Sequence, residues 1–299
     1  MRPKLTPMTW FVVLTLIAIG LALGLPVDPK AIEHMHTSSG AFRLAVAVLL
    51  IPYVLIWYAA FYAYAKLQEY SRLIKTTKDG AAFHKIAIGM GALAFALVVP
   101  TIISLILHSI AGQHPSFKAA SVITVNYLTL FSALAAFLLL FNGARLLLRT
   151  VRNGILKLDI RKHAPWFLLL AITFSHLTIE NYYQHNPYHV GKWVLITTFI
   201  VPYIYTWMVG LLCAYELYWY AKTVKGLLYR RAIKRFAQGL AVVVAGSIII
   251  QFVNITILQR VNTSLTHVLL LDYVVLTIVI GGLFLMALGT KKLKKIEEL

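Results

Sequence analysis

The sequence predicts an all-α integral membrane protein, with eight transmembrane helices arranged as two parallel four-helix repeats. Three observations carry that reading. First, 60% of the 299 residues are hydrophobic and only 13% are charged. Apolar runs of roughly 20 residues, the length that crosses a bilayer as a helix, recur along the whole chain. Second, the stretch Ile51 to Lys75, IPYVLIWYAAFYAYAKLQEYSRLIK, returns 150 positions later as Val201 to Lys225, VPYIYTWMVGLLCAYELYWYAKTVK. Pro52 aligns with Pro202, Tyr53 with Tyr203, Trp57 with Trp207, Tyr70 with Tyr220 and Lys75 with Lys225. Third, the lysines and arginines sort into alternate connectors, as the loops of a polytopic membrane protein do.

The first span runs from Trp10 to Leu25 after a short basic start. A signal peptide has a similar outline. Trp10-Phe11 matches Trp166-Phe167 at the head of an internal span, however, so the segment reads as a retained helix. A polar loop, residues 26–41, leads to a second span from about Phe42 to Leu67. A basic segment follows, turned by Asp79-Gly80. The third span covers about Ile86 to Ile110 and the fourth about Ala119 to Phe141. The basic stretch 145–165 then joins a first repeat, residues 1–144, to a second, residues 166–299.

The second repeat follows the same plan. Its spans cover about Trp166–Ile179, Trp193–Tyr218, Phe236–Leu258 and Val268–Leu288. Lys85 matches Arg235 and Gly89 matches Gly239 at the same offset of 150. In the last span the offset falls to 146, where Asn126-Tyr127 matches Asp272-Tyr273 and Gly143 matches Gly289. Four spans are an even number, so the second repeat enters the membrane in the same direction as the first. A pseudo-two-fold axis along the membrane normal follows, with a cavity between the halves.

The N-terminus, residues 66–85, 142–165 and 222–235, and the C-terminus hold 23 of the 28 lysines and arginines. The positive-inside rule puts these segments, and both termini, in the cytoplasm. The formal charge of +18 is therefore a property of topology. Its expected neighbours are the lipid bilayer and anionic headgroups, not nucleic acid. Tyr215, Tyr218, Trp219 and Tyr220 fall at the inner interface, as an aromatic belt does. A protein partner or a second copy is also compatible with the helical surface.

Candidate chemistry lies at two levels. Asp272 sits within the last span, and an acid there usually faces a partner or a water-filled cavity. Asn254, Gln251, Asn126, Ser104, His108 and His176 lie at comparable depth. Together they form a candidate substrate- or ion-binding cluster between the repeats, with Asp272 as its titrating group. On the outer face, His34, His36, His185 and His189 are candidate metal ligands, because imidazole binds transition metals. His108 and His176 could also bracket a haem or metal. Pro52 and Pro202 each remove a helix hydrogen bond and predict paired kinks. Glu216, near the inner end of its span, aligns with Lys66 and predicts a Lys66–Glu216 pair across the halves.

Other chemistries lack their signatures. No P-loop, GxSxG, HExxH or dinucleotide fingerprint occurs. The single cysteine, Cys213, has no intrachain partner for a disulfide. A small-solute or ion transporter or channel is thus the first expectation, and a non-enzymatic sensor, scaffold or complex subunit the second. A haem- or metal-binding membrane protein is the third.

Overall fold

A computed structural model describes residues 6–24, 39–77, 79–111, 115–151, 201–224, 226–258 and 265–297. These residues form seven α-helices and no strand. They are α1 (Pro7–Leu23), α2 (Ser39–Leu73), α3 (Gly80–Ala111), α4 (Pro115–Val151), α5 (Val201–Thr223), α6 (Leu227–Leu258) and α7 (Leu265–Glu297). Five of them (α2, α3, α4, α6 and α7) are long and apolar enough to cross a membrane. The expected span over Trp166–Ile179 lies outside the described residues.

The helices run past the apolar runs that predict them. The basic segment after the second span stays helical to Leu73, and α4 continues to Val151. Lys, Arg, Gln and Glu are good helix formers, so polarity alone does not end a helix. The break comes where turn residues cluster. Thr77 N–H donates to the Ile74 carbonyl at 2.9 Å, and Gly80 N–H to the Thr77 carbonyl at 3.1 Å. Asp79 then stands at the N-terminus of α3, where its carbonyl takes the first helical bond, from Phe83 N–H at 3.0 Å.

α1 begins at a capped proline. The Thr6 hydroxyl accepts from Thr9 N–H at 3.2 Å, and Pro7 occupies a first-turn position that needs no donor. Aromatic edges seat α1 on its neighbours. Trp10 meets Phe95 of α3 at 6.0 Å, and Phe11 meets Tyr58 of α2 at 5.6 Å.

The other six helices pack in a closed order. α2 lies against α3, α3 against α4, α4 against α5, α5 against α6, α6 against α7, and α7 returns to α2. The closest approaches are α3 to α4 and α6 to α7, and glycine makes both. A Cβ on Gly89 would stand 2.6 Å from Leu140 N; one on Gly143 would stand 2.9 Å from Ile86 N and 3.0 Å from Ala82 O. In the other pair, a Cβ on Gly239 would stand 2.7 Å from Met286 N. One on Gly289 would stand 2.7 Å from Ala232 O and 2.9 Å from Phe236 N. No side chain fits these gaps. Small residues at such crossings bring backbones together in an apolar solvent that gives helices no hydrophobic reason to associate.

Two prolines sit inside helices. Helix α2 continues through Pro52, and α3 through Pro100, which the sequence reading did not single out. Pro52 has no N–H for the Val48 carbonyl four residues back. Tyr273 of α7 supplies the missing donor, with its hydroxyl 2.5 Å from that oxygen. Near Pro100, the buried Trp57 indole donates to the Leu97 carbonyl at 3.1 Å. Each proline thus lies beside a hydrogen bond between helices. Pro202 is part of α5, but its side chain lies outside the described residues.

The glycine contacts make a direct prediction. Gly239→Ala forces α6 and α7 apart and is expected to cost about 1–3 kcal/mol, as overpacking does. Gly281→Ala, with nothing within 4 Å of the added carbon, serves as the control and should be neutral. Unfolding midpoints in detergent check the pair.

Candidate functional site

The basic ends of the helices meet in one hydrogen-bonded cluster. Asp79 is its acceptor. The Tyr220 hydroxyl of α5 donates to Oδ2 at 2.7 Å, and the Thr150 hydroxyl of α4 lies 3.1 Å from Oδ1. Tyr229 of α6 lies close to both Tyr220 and Tyr70 of α2. Tyr70, Tyr229, Tyr220 and Asp79 therefore gather into one cluster of aromatic and polar groups. Phe83 closes it from the side, edge-on to Tyr70 at 4.9 Å and to Tyr229 at 6.3 Å. Tyr70 and Tyr220 are fully buried. Four of the six packed helices contribute a polar group to this cluster, and Asp79 comes from the turn that precedes α3.

One turn further from that end lies a buried ion pair. Glu216 of α5 is 2% exposed, and its Oε1 stands 3.4 Å from Nε of Arg145 on α4. Arg145 lies over the Phe141 ring at 5.0 Å. Oε2 of Glu216 has no hydrogen-bond partner. Cys213, buried, is one turn away on the same helix. Residues 213, 216 and 220 recur at helical spacing, so all three belong to one face of α5.

The expected Lys66–Glu216 pair does not form. Lys66 reaches Glu69 on its own helix at 3.1 Å. The i,i+3 neighbour is always within reach, whereas a cross-helix partner must lie on the facing side. Arg145 is the residue that does so for Glu216. Its position after the fourth apolar run made it read as part of a connector, although it belongs to α4.

Of the expected polar cluster, Ser104 is half-buried on α3. Asp272, Asn254, Gln251, Asn126 and His108 occupy positions in α7, α6, α4 and α3, and their side chains lie outside the described residues. His176, His34, His36, His185 and His189 also lie outside them. Among the described residues, no three His, Cys, Asp or Glu side chains converge as metal ligands would. The clustered residues carry a signal in the sequence. Position 79 matches 229 under the same offset that pairs Tyr70 with Tyr220. The chain was compared with family models, curated proteins and solved structures, and none of them matches it.

The ion pair predicts a non-additive response. Arg145→Met alone leaves a buried carboxylate unpaired and is expected to cost about 3–5 kcal/mol. Adding Glu216→Leu should restore most of that loss, because an apolar pair of similar volume often replaces a buried ion pair at little cost. Thermal unfolding of both variants and wild type gives the answer. Equal losses in the two variants would count against the pairing.

Proposed function

We propose that this chain is a small-solute or ion transporter or channel, built from two parallel four-helix repeats with a polar site between them. The carrying observation is the Tyr220–Asp79 hydrogen bond, which with its neighbours Tyr70 and Tyr229 ties the proposed first half to the second at the basic end of the bundle. Each half supplies two members of this cluster. In this reading the cluster is a closed inner gate. The site around Asp272, with Asn254, Gln251, Asn126, Ser104, His108 and His176, opens toward the other end.

Matched packing supports the duplication. Gly143 meets Ala82 and Ile86, and Gly289 meets Ala232 and Phe236. Gly89 meets Leu140, and Gly239 meets Met286. Each partner is displaced by the offset that aligns its segment of sequence, 150 or 146. The closed helix order also repeats after three helices, with α2, α3 and α4 followed by α5, α6 and α7. Gathering the lysines and arginines at one end supports cytoplasmic termini. It also supports anionic headgroups as the neighbours of that end.

The gate is tested with the native thiol. Cys213 lies seven residues from Tyr220 along α5, about 10 Å deeper at a rise of 1.5 Å per residue. Asp79→Asn and Tyr220→Phe each weaken the Tyr220–Asp79 bond while keeping the shape of the cluster. A hydrogen bond to a charged group contributes about 1.5–3 kcal/mol, so a membrane-impermeant maleimide on the basic side should label Cys213 about tenfold faster or more. An unchanged rate in both variants, with native elution, would rule out the gate.

Flux tests the site itself. Liposomes containing the chain and an entrapped pH dye are expected to acidify under an imposed proton gradient. Asp272→Asn should abolish this without altering elution from a sizing column. Undiminished flux in that variant would remove Asp272 from the mechanism.

A further inference from the structure

The surface of α5 carries a continuous stripe from its apolar length to its basic end. Ile204, Met208, Leu211 and Tyr215 are each between 41 and 52% exposed. Their spacing of four, three and four residues puts them on one helix face. The next residues on that face are Trp219 and Lys222. The stripe thus passes from aliphatic to aromatic to cationic over about 27 Å of helix, at 1.5 Å per residue. A lipid makes the same transition from acyl chain through glycerol to headgroup.

At the basic end two lysines converge on one ring. Nζ of Lys222 is 4.9 Å from the centroid of Tyr218 and 4.9 Å from that of Trp219. Nζ of Lys234, on the adjacent α6, is 5.6 Å from the same Tyr218 centroid. Both lysines are exposed, and among the described residues neither has a carboxylate partner. The nearby acids are engaged elsewhere, Glu216 with Arg145 and Asp79 with Tyr220 and Thr150. Two ammonium groups around one ring repel each other. A shared anion turns that repulsion into attraction.

The matching positions of the other half lack this arrangement. Subtracting 150 from Tyr218, Trp219, Lys222 and Lys234 gives Gln68, Glu69, Arg72 and His84. There the aromatic pair is missing, and Glu69 supplies a carboxylate of its own, which takes Lys66. The surface on α5 and α6 is therefore specific to one side of the bundle, and not a uniform basic belt.

We infer that the surface formed by the basic ends of α5 and α6 binds one anionic phospholipid. Its phosphate bridges Lys222 and Lys234, its glycerol backbone rests on Tyr218 and Trp219, and one acyl chain follows Tyr215, Leu211, Met208 and Ile204. The inference needs only a membrane-embedded chain and is independent of transport.

Native mass spectrometry of the detergent-solubilised chain tests it, with phosphatidylglycerol, phosphatidylcholine and glycerol phosphate as separate probes. Phosphatidylglycerol is expected to stay bound in preference to phosphatidylcholine. Lys222→Gln with Lys234→Gln should weaken it roughly 30-fold, about fivefold per lysine. Arg72→Gln, at the matched position, should leave it unchanged. Equal binding of the two lipids, or an equal loss in Arg72→Gln, would reduce the site to a diffuse basic surface and overturn the assignment. Glycerol phosphate binding as tightly as the lipid would overturn it too, by showing a free-phosphate site. The substituted lysines are solvent-facing, so all variants are expected to elute as wild type.

Discussion

One carboxylate holds the basic end of this bundle together. Asp79 lies in the short connector between α2 and α3, at the N-terminus of α3, where the helix dipole favours negative charge. That position fixes it from below. Its two oxygens then accept from α4 and α5 at once, through Thr150 and Tyr220. Tyr229 of α6 and Tyr70 of α2 pack beside the Tyr220–Asp79 bond, both edge-on to Phe83. Hydrogen bonds to an ionised group are roughly twice as strong as neutral ones. For the buried Tyr220 hydroxyl, being left unpaired costs more than making the bond gains. The head of α3 and the ends of α4 and α5 are therefore tied to one another by a small set of side chains, with α2 and α6 packed beside them.

Between the helices the dominant constraint is different. Aliphatic side chains gain little from leaving lipid for a helix interface, so close contact must come from shape. Glycine supplies it at the α3–α4 and α6–α7 crossings, where backbone atoms of the partner occupy the space a Cβ would need. Polar contacts in such settings average only about 0.6 kcal/mol each. They matter because the alternative is an orphaned group. The Val48 carbonyl opposite Pro52 illustrates this: the proline removes its donor, and Tyr273 from α7 provides one. A proline in a membrane helix is tolerated when a neighbour satisfies the freed oxygen.

Helical membrane architecture was legible in the sequence because hydropathy is a direct physical demand of the bilayer. Helix ends were not, because residues such as Lys66, Gln68, Glu69 and Arg72 favour helix while looking like loop. Asp79 was legible only as a turn marker, since Asp-Gly reports on local backbone and says nothing of what the carboxylate touches across the bundle. The partner of Glu216 failed for a related reason. The repeat identified Lys66 as the residue at the matched position, but equivalence by symmetry is not adjacency. The contact was decided by which helix packs against α5, and that helix is α4. Trp57 and Tyr273 were visible as aromatics, yet their role depends on which carbonyl each reaches across the bundle, that of Leu97 and that of Val48. Such pairings need the three-dimensional register.

The proposed duplication makes the differences between the halves the informative part. Two seams join them, α4 with α5 and α7 with α2. At the first, Arg145 meets Glu216. The matched positions at the second are Lys291 and Lys66, two cations, which cannot pair with one another. Lys66 pairs with Glu69 on its own helix. A hydrogen bond that crosses the second seam, from Tyr273 to the Val48 carbonyl, lies toward the other end of α2, 18 residues from Lys66. Among the described residues, the first seam is thus joined by a buried ion pair near the basic end and the second by a hydrogen bond toward the other end, so the proposed halves are held by different chemistry at different depths.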